Sequence, residues 1–202
     1  MGRPRAFDEQ AALDAATECF WRHGFEGSST RMLAARMGIT GASLYNAFGD
    51  KRTIYRRVLD RYADQALGWC SAALEGDQPL EAIDAVFSAL AEQGIEDPHR
   101  RGCLVVNTGL ETAPHDPEFQ SLVAAVFERL QALFQAAVAK GQATGAISRS
   151  QSSEDLARLL LGAMLGIRVL SRTSPDPALL QGVARSAVEA LRPGREADPC
   201  PA

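Results

Sequence analysis

The chain has 202 residues, 46% of them hydrophobic and 23% charged, with a formal net charge of −4. That size and apolar content suit one large domain, or a small domain plus a larger one, with a buried core. No apolar run approaches the roughly 20 residues needed to span a bilayer. The four cysteines, Cys19, Cys70, Cys103 and Cys200, are widely spaced, as are His23, His99 and His115. Neither a zinc site nor a disulfide framework is expected from such spacing.

The N-terminus, Met1-Gly2-Arg3-Pro4-Arg5, is basic but has no apolar stretch behind it. No secretory signal is expected, and the cytoplasm is the expected location. Residues 8 to 23 read as a first helix. Asp8 suits its N-cap, and Ala12, Leu13, Ala16, Cys19 and Phe20 form an apolar stripe that Gly24 ends. In the next stretch Leu33, Ala34 and Met37 recur at helical spacing. Gly38 stops that helix, because glycine tolerates the left-handed backbone of a C-terminal cap. Ile39 turns inward, Thr40 can cap the following helix, and Leu44 and Phe48 continue the apolar face four residues apart. Ser43, Tyr45 and Asn46 are left pointing outward. Two short helices joined by a tight turn make a helix-turn-helix, which sets its second helix in the DNA major groove.

Asp50 can cap a fourth helix carrying Ile54, Tyr55, Val58, Leu59 and Tyr62, and the pattern runs without a break to about Leu74. A turn at Glu75-Gly76-Asp77-Gln78-Pro79 follows. The remainder predicts helices over 80–94, 102–112, 116–140, 153–171 and 177–191, with loops at 97–98 and 141–150. No alternation of the strand kind and no internal repeat is present. The fold class expected is all-α. It would hold a three-helix DNA-binding domain at 1–50, a larger helical regulatory and dimerisation domain at 51–192, and a disordered tail at 193–202.

Residues 7 to 58 resemble the DNA-binding domain of the TetR family of transcriptional regulators (the TetR/AcrR type). The likeness rests on Gly24-Phe25, Ser28-Ser29-Thr30, Leu33-Ala34, Gly38-Ile39-Thr40, Leu44-Tyr45, Phe48 and Lys51 at their relative spacings. Ala47 stands where the family often has His, and Arg52 follows Lys51 where an acid is common. The resemblance implies DNA contacts position by position. Arg5, with Arg3, would form a basic arm. Ser28, Ser29 and Thr30 would hold a phosphate at a helix start. Thr40, Gly41, Ala42, Ser43 and Asn46 would face base edges, and Asn46 can pair with adenine. Tyr45 would meet phosphate or base, and Lys51 a phosphate.

The charge distribution agrees with this. Residues 1–57 hold nine Lys/Arg against six Asp/Glu, a surplus of +3, while the remainder holds 12 against 19, a deficit of −7. Basic charge lies where phosphate binding requires it.

The helix at 153–171 carries more apolar surface than one contact face needs, and Gly162, Ala163 and Gly166 permit close approach. Duplicated half-sites call for a two-fold dimer. In the resembling family the last two helices of each subunit form a four-helix bundle, so residues 153–191 are the expected homodimer interface. The resemblance also implies a small-molecule effector held among the middle helices. Cys103 follows Arg100-Arg101-Gly102 at the expected start of a helix. Cations and a helix N-terminus are the setting in which a thiol turns nucleophilic.

The reading is therefore a ligand-responsive homodimeric repressor of a palindromic double-stranded DNA operator, with no catalytic residues, metal, cofactor or membrane partner. The alternatives are a redox- or electrophile-sensing repressor acting through Cys103, and a helical enzyme or carrier with a vestigial DNA motif. Against the last, the chain lacks a Gly-rich phosphate loop and a Ser/His/Asp set at recognisable spacing.

Overall fold

The computed structural model describes residues 7–193, whose regular elements are all helices, with no strand among them. Helix α1 (Glu9–His23) starts where the Asp8 carboxylate accepts the N–H groups of Gln10 and Ala11. Helices α2 (Thr30–Arg36) and α3 (Gly41–Phe48) follow, then α4 (Lys51–Leu74), unbroken as expected. Asp50 Oδ1 accepts from the Thr53 N–H and hydroxyl, each at 2.7 Å, and these bonds hold its carboxyl below the usual carboxylate range. Helix α5 (Pro79–Glu96) opens on a proline, whose missing N–H is no loss at the first helical position. Helix α6 (Leu104–Glu111) is followed by a 3₁₀ turn (Ala113–His115), then α7 (Pro117–Thr144), α8 (Ser153–Thr173) and α9 (Pro177–Glu189).

Helix α7 runs past its expected end at residue 140. Gly141 reads as a breaker, but a Cβ there would lie 2.5 Å from Ile147 Cδ1. The glycine serves close packing and not a turn. Among the described helices α7 is also long and apolar enough, by length and composition, to cross a membrane. That differs from the expectation drawn from uninterrupted runs. Glu128-Arg129 interrupts the apolar sequence, and Phe119, Phe134 and Val138 are fully buried inside the protein.

The chain forms two compact units. Among the described residues, the first holds 7–66 and 101–126, and the second holds 67–100 and 127–193. In the first, Ala12, Leu13, Ala16, Phe20, Leu33, Leu44 and Phe48 pack with Ile54, Tyr55, Val58 and Leu59 of α4 and with Leu104 and Phe119. This unit extends beyond the expected division at residue 50, because α4, α6 and the start of α7 supply part of its core. The tail assigned to 193–202 lies, apart from Pro193, outside the described residues.

In the second unit α5 packs on α8 and α9, and α8 on α9. Ile83, Val86 and Phe87 of α5, Leu160 and Ile167 of α8, and Leu180 of α9 are fully buried. Gly94 permits the close approach, since a Cβ there would lie 2.8 Å from Ser171 Cβ and 3.2 Å from Leu180 Cδ1. Gly94→Ala should therefore overpack the unit and cost about 1–3 kcal/mol. Gly68→Ala, on an exposed part of α4 with nothing within 4 Å, should instead stabilise by about 0.5–1 kcal/mol. Urea denaturation of both variants checks the opposite signs.

Candidate nucleic-acid interface

Local chemistry builds the helix-turn-helix at each junction. Gly24 ends α1 with φ +71°, and its N–H donates to Phe20 O at 2.8 Å. Ser29 caps α2 by accepting the Met32 N–H. At the other end Gly38 has φ +67°, its N–H donates to Ala35 O, and the Ile39 N–H donates to Ala34 O at 3.1 Å. That pair of bonds is a Schellman cap, which satisfies carbonyls the helix would leave open. Thr40 caps α3 by accepting the Ser43 N–H at 3.1 Å, and its hydroxyl donates to Ser43 Oγ at 2.9 Å.

The result separates two faces of α3. Leu44 and Phe48 are buried, while Tyr45 is 57% exposed, and Gly41, Ala42 and Asn46 are also exposed. Ser29 and Thr40 are exposed, and Thr30 and Ser43 are half-buried. Ser28 departs from the expectation of a phosphate contact. It is 2% exposed, and its hydroxyl donates to Gly24 O at 2.7 Å, so it braces the turn and is turned away from solvent. Lys51 is half-buried, donates to Phe25 O at 3.0 Å, and sits 4.2 Å from the Phe25 ring centroid. Arg5 lies outside the described residues.

The basic surplus of the N-terminal segment is redistributed by ion pairs. Arg22 bonds Glu18 at 2.5 Å, and Arg57 bonds Glu9. Arg52 bonds Asp116 and Glu118, and Arg56 bonds Glu118 at 2.5 Å and Asp60 at 3.0 Å. The Arg52 guanidinium is the main cause holding the carboxyls of Asp116 and Glu118 below their usual range. Arg31 and Arg36 of α2 are exposed and carry no ion pair among the described residues. Composition counts these cations without sorting paired from unpaired, so nothing in the sequence singles out Arg31 and Arg36.

No group of three or more His, Cys, Asp or Glu side chains among the described residues is set to hold a metal. Cys19 and Cys70 are buried, and burial pushes the Cys70 thiol up to about 11. Cys103 is half-buried at the N-cap of α6.

Residues 12–58 match the family model described as bacterial regulatory proteins, tetR family. Residues 79–187, more than half of the chain, match the tetracyclin repressor-like C-terminal domain. The chain belongs to the TetR family of transcriptional regulators, which are DNA-binding transcription factors and not enzymes. It is 28% identical over 185 residues to the HTH-type transcriptional repressor ComR of Escherichia coli (strain K12), covering 91% of this chain and 88% of that one. It is 26% identical over 186 residues to the HTH-type transcriptional regulator YezE of Bacillus subtilis (strain 168), covering 90% and 94%. Among solved structures it is similar to the TetR family regulator CifR complexed with 26bp double-strand operator DNA. That match has a TM-score of 0.82 at 29% identity, covering 93% of this chain and 99% of CifR.

The charge pattern sets an expectation for DNA binding. Arg31→Ala and Arg36→Ala should each flatten the dependence of log affinity on log salt by about 0.9 per head. Arg57→Ala, whose cation is already paired with Glu9, should leave that slope close to the parent's. Fluorescence titration of duplex DNA across salt concentrations checks all three.

Proposed function

We propose that the chain is a ligand-responsive homodimeric repressor that binds a palindromic operator in the cytoplasm. The observation that carries this reading is the two-faced α3: Leu44 and Phe48 are buried while Tyr45 and Asn46 face outward. A short helix with small and polar groups and one tyrosine on its open side is suited to the major groove. In this reading Thr40, Gly41, Ala42, Ser43 and Asn46 meet base edges. Ser29, Thr30, Tyr45 and Lys51 meet phosphate, with Arg5 as an arm and Arg31 and Arg36 adding charge.

Two relatives support repression. ComR is described as a transcriptional repressor, as is BdcR of Escherichia coli (strain K12), 31% identical over 122 residues and 60% of each chain. Support for the dimer comes from the second unit. Leu159, 43% exposed, and Leu179, also exposed, line an apolar groove of about 520 Å³ with Ala163, Gly182 and Val183, and Val169 of α8 is exposed as well. A second copy meeting residues 153–191 covers that surface. Two heads then engage half-sites one helical turn apart, about 34–36 Å. A small-molecule effector that favours another arrangement lowers the population of the DNA-competent dimer.

A second reading keeps the repressor and moves the sensor to Cys103. It is favoured by the half-exposed position of Cys103, where Cys19 and Cys70 are buried. In that reading alkylation of Cys103 lowers DNA affinity, and Cys103→Ser abolishes the effect.

Selection from randomised duplex DNA tests the main reading. The parent should recover an inverted repeat with one half-site per head. Ala163→Arg, which buries an unpaired charge at the proposed interface, should lose the two-fold pattern. Asn46→Ala should relax one base position in each half-site, at about 1–3 kcal/mol on the preferred sequence. Recovery of a lone half-site by the parent contradicts the dimer, and an unchanged base preference in Asn46→Ala removes that residue as a reader.

A further inference from the structure

Two neighbouring cations at the start of α4 have contrasting surroundings. Lys51 lies over the Phe25 ring, and the Arg52 guanidinium lies 5.0 Å from the Phe119 ring centroid. The two rings are themselves 6.0 Å apart, so Lys51 and Arg52 share one aromatic platform. Lys51 donates to a neutral backbone carbonyl and has no carboxylate partner among the described residues. Arg52 is held by carboxylates on both sides. Its Nη1 and Nη2 engage the two oxygens of Asp116, and Nη2 also reaches Glu118 Oε2 at 2.6 Å.

The carboxylates are not free to follow Arg52 elsewhere. Asp116 Oδ1 accepts the N–H groups of Glu118 at 3.0 Å and Phe119 at 3.4 Å, which fixes it at the start of α7. Glu118 gives its second oxygen to Arg56 at 2.5 Å. The cluster nevertheless sits at the surface, with the Arg52 side chain 44% exposed. The Asp116 side chain is 17% exposed, and its two-pronged pairing with Arg52 within a network outweighs an isolated surface pair. A phosphate binds a guanidinium in the same two-pronged manner as a carboxylate. A DNA backbone reached by Lys51 therefore competes with Asp116 and Glu118 for Arg52.

We propose that Asp116 and Glu118 act as an electrostatic brake on DNA binding. They hold Arg52, a phosphate-competent cation beside Lys51, away from the DNA backbone. The brake lowers the part of the affinity that does not depend on sequence, on operator and bulk DNA alike, and leaves base reading by α3 untouched. The proposal rests on the reading that the start of α4 faces phosphates.

The test uses the full chain and a mixed-sequence duplex, with binding measured across salt concentrations. The variants are Arg52→Ala, Asp116→Asn with Glu118→Gln, and all three changes together. Asn keeps the N-cap, and Arg56 keeps Asp60 at 3.0 Å. Glu118→Gln alone, which leaves the cap intact, serves if the paired change fails to fold. Removing the acids should tighten binding and steepen the salt slope by about 0.9 per head. Arg52→Ala should leave the parent slope unchanged and should return the acid-depleted variant to it. If Arg52→Ala alone flattens the parent slope, Arg52 already meets phosphate and there is no brake. If the gain survives Arg52→Ala, the acids act through the general field and the proposal fails. Lys51→Ala separates the two levels. Should it flatten the slope while the Arg52 effects are merely additive, only the brake is lost. Should it too leave the slope unchanged, the phosphate-facing reading of this end is lost with it.

Discussion

One cluster of rings holds the first unit together. Tyr55 of α4 lies 4.7 Å from Phe20, 4.8 Å from Phe25 and 5.3 Å from Phe119, centroid to centroid. Its hydroxyl meets Thr108 Oγ1 at 2.8 Å, and Thr108 Oγ1 donates to Leu104 O, so the tyrosine is the donor in the first bond. Burial raises the Tyr55 phenol above its ordinary range and keeps it neutral. Each ring comes from a different part of the chain: α1, the turn after it, α4 and α7. A helix-turn-helix of about 50 residues buries so small a share of its surface that it is marginal alone. Here α4, α6 and the start of α7 complete it.

The turn between α1 and α2 shows how tightly this is specified. Ser28 donates to Gly24 O, Lys51 donates to Phe25 O, and the Glu26 N–H donates to Glu111 Oε1 at 3.2 Å. Gly24 is required by its backbone, and any side chain there would also push the Glu111 carboxylate aside. Its φ of +71° suits glycine, and a Cβ there would lie 2.6 Å from both Glu111 carboxylate oxygens. The direction in which α2 leaves α1 is therefore fixed in part by a residue of α6. Arg101 adds a further tie, bonding Glu18 at 2.9 Å and lying 4.7 Å from the Trp21 ring centroid. Both α4 and α7 begin in this unit and continue along the chain into the second.

Helix starts and stops are legible in the sequence because local physics makes them. Asp8, Thr40 and Asp50 cap helices where hydroxyl and carboxylate groups before apolar periods said they should, and Gly38 closes α2 as glycine closes helices. What stayed hidden depends on residues distant in sequence. Three hydroxyls at 28–30 looked alike, but only packing shows that Ser28 faces inward and Ser29 caps. Gly141 read as a stop, because its partner Ile147 was not visible. The basic surplus was countable, but which cations are neutralised depends on acids such as Asp116 and Glu118. Those acids join the first unit only once the chain has folded. The division at residue 50 followed the motif, whereas the compact unit follows the rings.

The central claim is that residues 101–119 are a structural part of the DNA-reading unit. Native-state hydrogen exchange at increasing denaturant tests it directly. The account predicts that amides of α6 and of the first turns of α7 lose protection together with those of α1 and the first half of α4, in one cooperative opening. If α6 instead opens with α8 and α9 while α1 and α4 remain protected, the claim is contradicted, and the ring cluster does not bind that segment to the head.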